Sequence, residues 1–323
     1  INLLFFIFSF LLSNILIKKF ISQFSRKFLD IPNNRSMHEN PIPRGLGIVF
    51  VTLTIFTSLI YMLFNGFSKE LMIPIVCVPL AIIGFIDDLK DLSPKIKYFF
   101  QVLTSIVIIS LSNKLSFGFE LNFKNFLVIG LIIFLFTAII NFINFMDGID
   151  GLISGCMLIS ILTCCVELGI YQSYIVLLGS LFSFILWNWN PAKIFMGDIG
   201  STFLAAINVG LISQADTFFE SFKLLLILTP CLIDPFVCII RRFFVGQNIF
   251  TPHRLHLYQR LTLSGISPSK ISLLYISTTF LLATSVINFD IKFSYLIILF
   301  ILFIGFYLDQ YVAQPFDTNL KKF

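Results

Sequence analysis

Five short polar clusters interrupt an otherwise apolar chain, and each carries residue types suited to phosphate and a divalent cation. The first reads Arg35, Ser36, Met37, His38, then Pro41, Pro43, Arg44, Gly45, Leu46, Gly47. Glycines at the mouth of an apolar run let backbone approach a ligand, and His38 and Arg44 beside them supply donors for phosphate. The second, Gly84 to Asp91, sets Asp87 and Asp88 at the lip of an apolar run, where two carboxylates are costly unless a cation or a proton relay uses them. Adjacent helical residues diverge by about 100°, so one of the two should face any shared cavity. The third holds Asn141 and Asn144 one helical turn apart, followed by Asp147, Gly148, Asp150 and Gly151. The fourth runs from Trp187 and Asn188 to Phe195, Gly197, Asp198 and Ser201. A lone carboxylate in a glycine-flanked turn, preceded by an aromatic ring, suits Mg²⁺ with a stacking platform beside it. Trp187 and Trp189 read as interface-belt residues. The fifth, Pro252 to Leu261, packs His253, Arg254, His256 and Arg260 into a clamp for phosphates.

Each cluster alone has a plainer reading: a basic membrane-surface loop, a solvated helix end, tight glycine packing. Their mixture is more specific. Acids, amides and cationic donors together are what Mg²⁺-assisted phosphoryl transfer needs, because hard oxygen ligands hold the ion and catalysis is mostly positioning and charge neutralisation. GxxxxGK[ST], HExxH and GxSxG are all absent, which argues against P-loop NTPase, zincin and hydrolase alternatives.

The elements that position these clusters must be membrane helices. Of 323 residues, 57% are hydrophobic and only 12% charged, with a mean hydropathy of +0.95, too little polar surface for a water-soluble shell. The expected fold is all-α and polytopic, one integral-membrane domain over 1–323. Eleven apolar runs are candidate spans: 1–17, 46–64, 71–86, 96–111, 126–145, 152–168, 174–186, 202–213, 222–240, 271–287 and 294–308. The first lacks a basic n-region and a small-residue cleavage site, so it reads as a retained anchor. Alternating loops divide the 22 basic residues 17 to 5, which puts the N-terminus outside, the C-terminus in the cytoplasm and all five clusters on the cytoplasmic face. The formal charge of +5 therefore reports topology, and no basic patch suits nucleic acid. The 241–270 segment is the one cytoplasmic stretch long enough to hold structure of its own. Asp234, deep in a run and seven residues before Arg241, is expected to pair with it. The six cysteines lie in apolar runs and read as buried hydrophobes.

The order GFIDDL, NFINFMDGIDGL, IFMGDIGS and a His- and Arg-bearing loop resembles the polyprenyl-phosphate N-acetylhexosamine-1-phosphate transferases, over about Asp30 to Arg260. The resemblance implies transfer of a sugar-1-phosphate from a UDP-N-acetylhexosamine to undecaprenyl phosphate with release of UMP, at the cytoplasmic face of a bacterial inner membrane. It implies Mg²⁺, with Mn²⁺ as the alternative, held by Asn144 and Asp198. Asp87 and Asp88 match the catalytic acidic pair, and Phe195 the residue that stacks on uracil. Asp150 and Asn188 match residues lining the nucleotide pocket, with Asp147 grouped among the substrate-binding residues, and Arg254 and His256 match the cationic loop over the pyrophosphate. A second copy of the chain is a candidate partner. Where relatives that use GlcNAc carry His-x-His-His, this chain reads His256, Leu257, Tyr258, Gln259. That departure resembles the branch that initiates O-antigen or capsule synthesis with N-acetylated 6-deoxy sugars. A transporter or flippase is the competing class, and it would place charges near the bilayer midplane.

Overall fold

The computed structural model describes residues 2–32, 36–38, 40–112, 123–249, 251 and 253–316, with backbone alone at 26, 27, 123 and 124. Arg35 and Pro252 of the clusters lie outside the described residues, as do Ile1, Glu39, Lys114, Asp317, Lys321 and Lys322.

Apolar composition with few internal glycines or prolines favours helix along most of the chain, and fourteen helices form among the described residues. They are α1 (Asn2–Lys27), α2 (Ile48–Asn65), α3 (Lys69–Val76), α4 (Val78–Lys90), α5 (Pro94–Leu111), α6 (Phe123–Met146) and α7 (Leu152–Glu167). They continue with α8 (Tyr171–Asn188), α9 (Gly197–Ile212), α10 (Phe218–Leu226), α11 (Thr229–Phe244), α12 (Leu257–Leu263), α13 (Pro268–Asn288) and α14 (Ile291–Tyr311). One small departure from all-α is an antiparallel pair of two-residue strands, β1 (Leu29–Asp30) and β2 (Ile42–Pro43), with Leu29 opposite Pro43.

Every one of the eleven apolar runs is a helix or a helix pair, but they are not equivalent. Among the described residues seven helices are long and apolar enough to cross a membrane, counting α3 and α4 as one, or eight if the bent pair α10 and α11 is a single span. Prolines account for both interruptions. Pro74 and Pro79 remove backbone donors around Cys77, and Pro230 starts α11 after a 79° bend from α10. α9 behaves differently from the rest, because Ile199 through Ile212 are all buried. A helix that is apolar all round belongs at the centre of a bundle, and α9 packs against α4, α6 and α7 there. The 241–270 segment does hold structure of its own, the two-turn α12. All six cysteines are buried and free.

Candidate active site

The site is built around the N-terminus of α9. Gly84 on α4 permits the closest approach: a Cβ there would lie 2.7 Å from the Asp198 carbonyl, so α4 meets the first turn of α9 backbone to backbone. Gly197 adopts φ +72°, a left-handed conformation that turns the chain into α9, and a Cβ at this position would collide with the Asp88 carboxylate. These two glycines let Asp88 reach across. Its Oδ1 accepts the Asp198 N–H at 2.9 Å and its Oδ2 the Ile199 N–H at 3.3 Å, capping α9 with a charge that also complements the helix dipole. Arg44 closes on the same residue, with Nε 3.4 Å from Asp88 Oδ1 and a 2.8 Å bond to the Asp88 carbonyl. Asp88 is thus consumed in holding α9, and its side chain is only 4% exposed.

Asp87 points the other way, as the helical divergence requires. Its Oδ2 accepts from Lys97 Nζ at 2.8 Å and its Oδ1 accepts the Leu92 N–H at 2.7 Å. Lys97 also reaches Asp198 Oδ2 at 3.4 Å, so one ammonium lies between two carboxylates. Asn144 stands beside them, with its amide donating to Asp198 Oδ2 at 3.4 Å and its Oδ1 accepting from the Ser201 hydroxyl at 2.6 Å. Asp147 follows one turn later. Burial, together with the nearby Asp198 and Asp88 carboxylates, pushes its carboxyl up to about 8.

A cavity of about 570 Å³ is lined among others by His38, Pro43, Asp150, Lys193 and Phe195; it meets the cluster through Gly148, next to Asp147, and Phe195, three residues before Asp198, and the cluster's carboxylates do not line it. The Phe195 and His38 rings meet edge to face at 5.0 Å. Backbone bonds zip the first and fourth clusters together here: Phe195 N–H donates to the Pro43 carbonyl at 2.8 Å, and Leu46 and Gly47 N–H donate back to Phe195 and Met196 at 3.1 Å. Asp150 Oδ2 accepts from Asn190 and from the Ala192 N–H, both at 2.9 Å, holding the cavity wall. Asn188 lies one layer deeper than the sequence led us to expect. It is 4% exposed, its Oδ1 accepts from Gly151 N–H and Ser154, and its amide donates to the Ile194 carbonyl, so it braces the wall from behind.

The fifth cluster closes over the same end. Arg254 donates to the Ser36 carbonyl at 2.7 Å, and the Tyr258 hydroxyl to the Phe145 carbonyl at 3.0 Å, beside the Asn144–Asp147 turn. Tyr258 and Gln259, which stand where two imidazoles were expected, are buried structural contacts: Gln259 accepts the His256 N–H at 3.3 Å. His253 stays neutral, since burial and the neighbouring His256 and Arg242 hold its imidazole down to about 3. The expected Asp234–Arg241 pair does not form. Arg241 makes a two-pronged bond to Asp309 at 2.8 and 2.6 Å, with Arg260 on the same carboxylate, whereas Asp234 turns toward the 256–258 segment. Lys97 was read from the sequence only as a topogenic charge; its position ten residues past Asp87, across the Pro94 turn, was the available signal.

All five clusters are therefore linked through direct contacts at one end of the bundle, with carboxylate oxygens of Asp87 and Asp198 around the Lys97 ammonium and the Asn144 amide N–H bonded to Asp198. Such a gathering of acids, amides and cationic donors at one end of an apolar bundle suits phosphorylated substrates. Residues 70–215 match the family model described as Glycosyl transferase family 4. The chain is 30% identical to a probable undecaprenyl-phosphate N-acetylglucosaminyl 1-phosphate transferase of Bacillus subtilis (strain 168), over 91% of this chain and 86% of that protein. It is 29% identical to the undecaprenyl-phosphate alpha-N-acetylglucosaminyl 1-phosphate transferase of Thermotoga maritima, over 98% of each. A decaprenyl-phosphate N-acetylglucosaminephosphotransferase of Mycobacterium leprae is 30% identical over 75% of this chain and 72% of its own. The chain belongs to the polyprenyl-phosphate N-acetylhexosamine-1-phosphate transferase family.

Proposed function

We propose that this protein transfers an N-acetylhexosamine-1-phosphate from its UDP-sugar to undecaprenyl phosphate, releasing UMP and starting an O-antigen or other envelope polysaccharide. The donor is UDP-GlcNAc or an N-acetylated 6-deoxy sugar such as UDP-FucNAc or UDP-QuiNAc. The observation that carries the reading is the link from Asp88 through Asp198 and Lys97 to Asp87, beside a cavity walled by Phe195 and His38. In this reading the chain forms one membrane domain that crosses eleven times in a bacterial inner membrane, with the N-terminus outside and the site facing the cytoplasm. The flippase alternative fits less well, because these carboxylates gather at one end of the bundle.

The donor set suits a hard cation. Asp87 and Asp198 offer oxygen ligands, the Asn144 amide would offer its own on turning its Oδ1 from Ser201 toward Asp198, and the Lys97 ammonium between the two carboxylates is consistent with positive charge being stabilised there. Mg²⁺ held by Asp198 and Asn144 would neutralise charge on the pyrophosphate. Around it, Phe195 stacks on uracil, Arg254 and His256 face the pyrophosphate, and Asp87 positions the lipid phosphate and takes any residual proton. A phosphate monoester with a second pKa of about 6 is mostly dianionic at neutral pH, so its oxygen attacks the β-phosphorus directly while the bond to the α-phosphate oxygen breaks and UMP leaves. Purified protein, Mg²⁺, undecaprenyl phosphate and a panel of UDP-N-acetylhexosamines, scored for UMP, test the assignment. Inversion at the β-phosphorus supports direct transfer, and net retention would mean a covalent aspartyl intermediate.

A further inference from the structure

Asp234 is a buried carboxylate, 6% exposed, that the proposed reaction does not use directly. Its bonds converge on one short segment. Oδ1 accepts the Leu257 N–H at 2.7 Å, and Oδ2 accepts the Tyr258 N–H at 3.1 Å and the Tyr275 hydroxyl at 2.7 Å. Leu257 and Tyr258 are the first two residues of α12, so a side chain from α11 caps that helix alongside the local capping box of His256 and Gln259. Immediately before them comes His256, 4% exposed, whose Nδ1 is buried without a hydrogen-bond partner and lies 3.7 Å from Asp234 Oδ1. The Gln259 N–H approaches the same ring from the helix side. Of the two neighbours, the full charge of the carboxylate exerts the stronger pull on an Nδ1 proton.

We infer that Asp234 is a positioning residue: it anchors the start of α12 and orients the His256 imidazole, holding a proton on Nδ1 so that Nε2, on taking up a second proton, donates to a substrate phosphate oxygen. The ring is held from its other side by stacking on Tyr258, with centroids 5.8 Å apart and planes 14° apart. Tyr258 is in turn bonded to the Phe145 carbonyl, which ties the orientation of His256 to the Asn144–Asp147 turn. A second use of the same imidazole is conceivable from distance alone, since Cys238, His253 and His256 each place a ligand atom within 4.8 Å of the others. Its geometry is poor. His253 Nδ1 accepts the Leu255 N–H at 3.2 Å, so the lone pair of that nitrogen is already engaged.

The inference rests on the transferase reading for its consequence, but its first test does not. With three histidines in the chain, ¹⁵N-histidine labelling of the full-length protein in detergent resolves each ring, and His256→Gln assigns the signal of interest. The expected result is a His256 ring protonated at Nδ1 that changes tautomer in Asp234→Asn. An identical tautomer in both proteins would overturn the inference. So would zinc retained at one per chain, which would give the nitrogen to the Cys238–His253–His256 group. The second test is a double-mutant cycle on UMP release. Asp234→Asn should lower kcat by about 100-fold with the KM for the UDP-sugar little changed, and should cost almost nothing further in a His256→Gln background. Equal losses in both backgrounds would overturn it. If Asp234→Asn is too unstable to purify, Tyr275→Phe removes one bond to Oδ2 and leaves the charge. Its smaller kcat loss must likewise vanish with His256→Gln. Absence of UMP from the wild-type protein would sink the transferase reading and leave the tautomer result standing.

Discussion

Lys97→Met is the substitution that most directly probes the charge balance of the site. The Lys97 ammonium lies 2.8 Å from Asp87 Oδ2 and 3.4 Å from Asp198 Oδ2. At an effective dielectric of about 20, unit charges at these separations attract by about 6 and about 5 kcal/mol before desolvation is counted. Lys97 is 29% exposed, so most of that is offset by lost hydration, and a net value of about 1.5 kcal/mol for each charged hydrogen bond, about 3 kcal/mol together, is the appropriate scale. Without the lysine, two carboxylates share a pocket with no compensating charge. The protein without metal should lose about 3 kcal/mol of stability, while the metal-bound form loses less because a divalent cation supplies the missing charge. By linkage, the variant should bind Mg²⁺ up to about 100-fold more tightly than the parent. Thermal unfolding in detergent across a Mg²⁺ titration reads both quantities. A lower melting temperature in EDTA and a left-shifted Mg²⁺ midpoint are expected. A midpoint that is unchanged or shifted to higher Mg²⁺ would refute the placement of the cation at Asp198, within the field of Asp87.

The two adjacent aspartates should separate by role. Asp88→Asn strips charge from the cap of α9 and from Arg44, and should lower unfolding stability by about 2 kcal/mol along with UMP release, whereas Asp87→Asn should spare stability more than turnover; equal melting shifts would contradict this division. Asp198→Asn should abolish UMP release with the protein still folded, as judged by its melting transition. For Asp147 the folded carboxyl sits at about 8 against an ordinary value of 3.8, so the folded state binds the extra proton between these limits and stability must fall as pH rises from about 4 to about 8. In EDTA, Asp147→Asn should flatten that part of the melting-temperature profile, and an equally steep profile in the variant would count against the buried, protonated form. Asp309→Asn leaves Arg241 and Arg260 without their shared anion and should destabilise by about 3 kcal/mol in chemical unfolding.

The chemistry was legible in the sequence because polar residues are rare enough in this chain to be conspicuous. The helical divergence of Asp87 and Asp88 was enough to say that only one would face the shared cluster. It could not say that the other would cap α9, since that depends on Gly84 bringing two distant helices into backbone contact. Hydropathy located all eleven apolar runs but cannot distinguish a helix that crosses lipid from one wrapped by other helices, and α9 is the clearest case. The spacing of Asp234 and Arg241 places them on one face of an ideal helix, yet Asp309, 68 residues beyond Arg241, supplies the better bidentate partner. Contacts of that kind are set by α13, which packs against both α11 and α14 and so brings Asp309 to Arg241, and a linear pattern does not encode this. Asn188 entered only through the resemblance, and its amide, with both a donor and an acceptor, satisfies buried backbone in the pocket wall.

The central claim is that one end of this bundle catalyses sugar-1-phosphate transfer to a lipid phosphate. Its most direct test is release of UMP by the purified protein given Mg²⁺, undecaprenyl phosphate and each UDP-N-acetylhexosamine in turn. The account predicts UMP and a stoichiometric lipid-linked sugar pyrophosphate from at least one donor, dependent on both Mg²⁺ and the lipid phosphate and lost in Asp198→Asn. No UMP from any donor, or release that persists without the lipid acceptor, would contradict it.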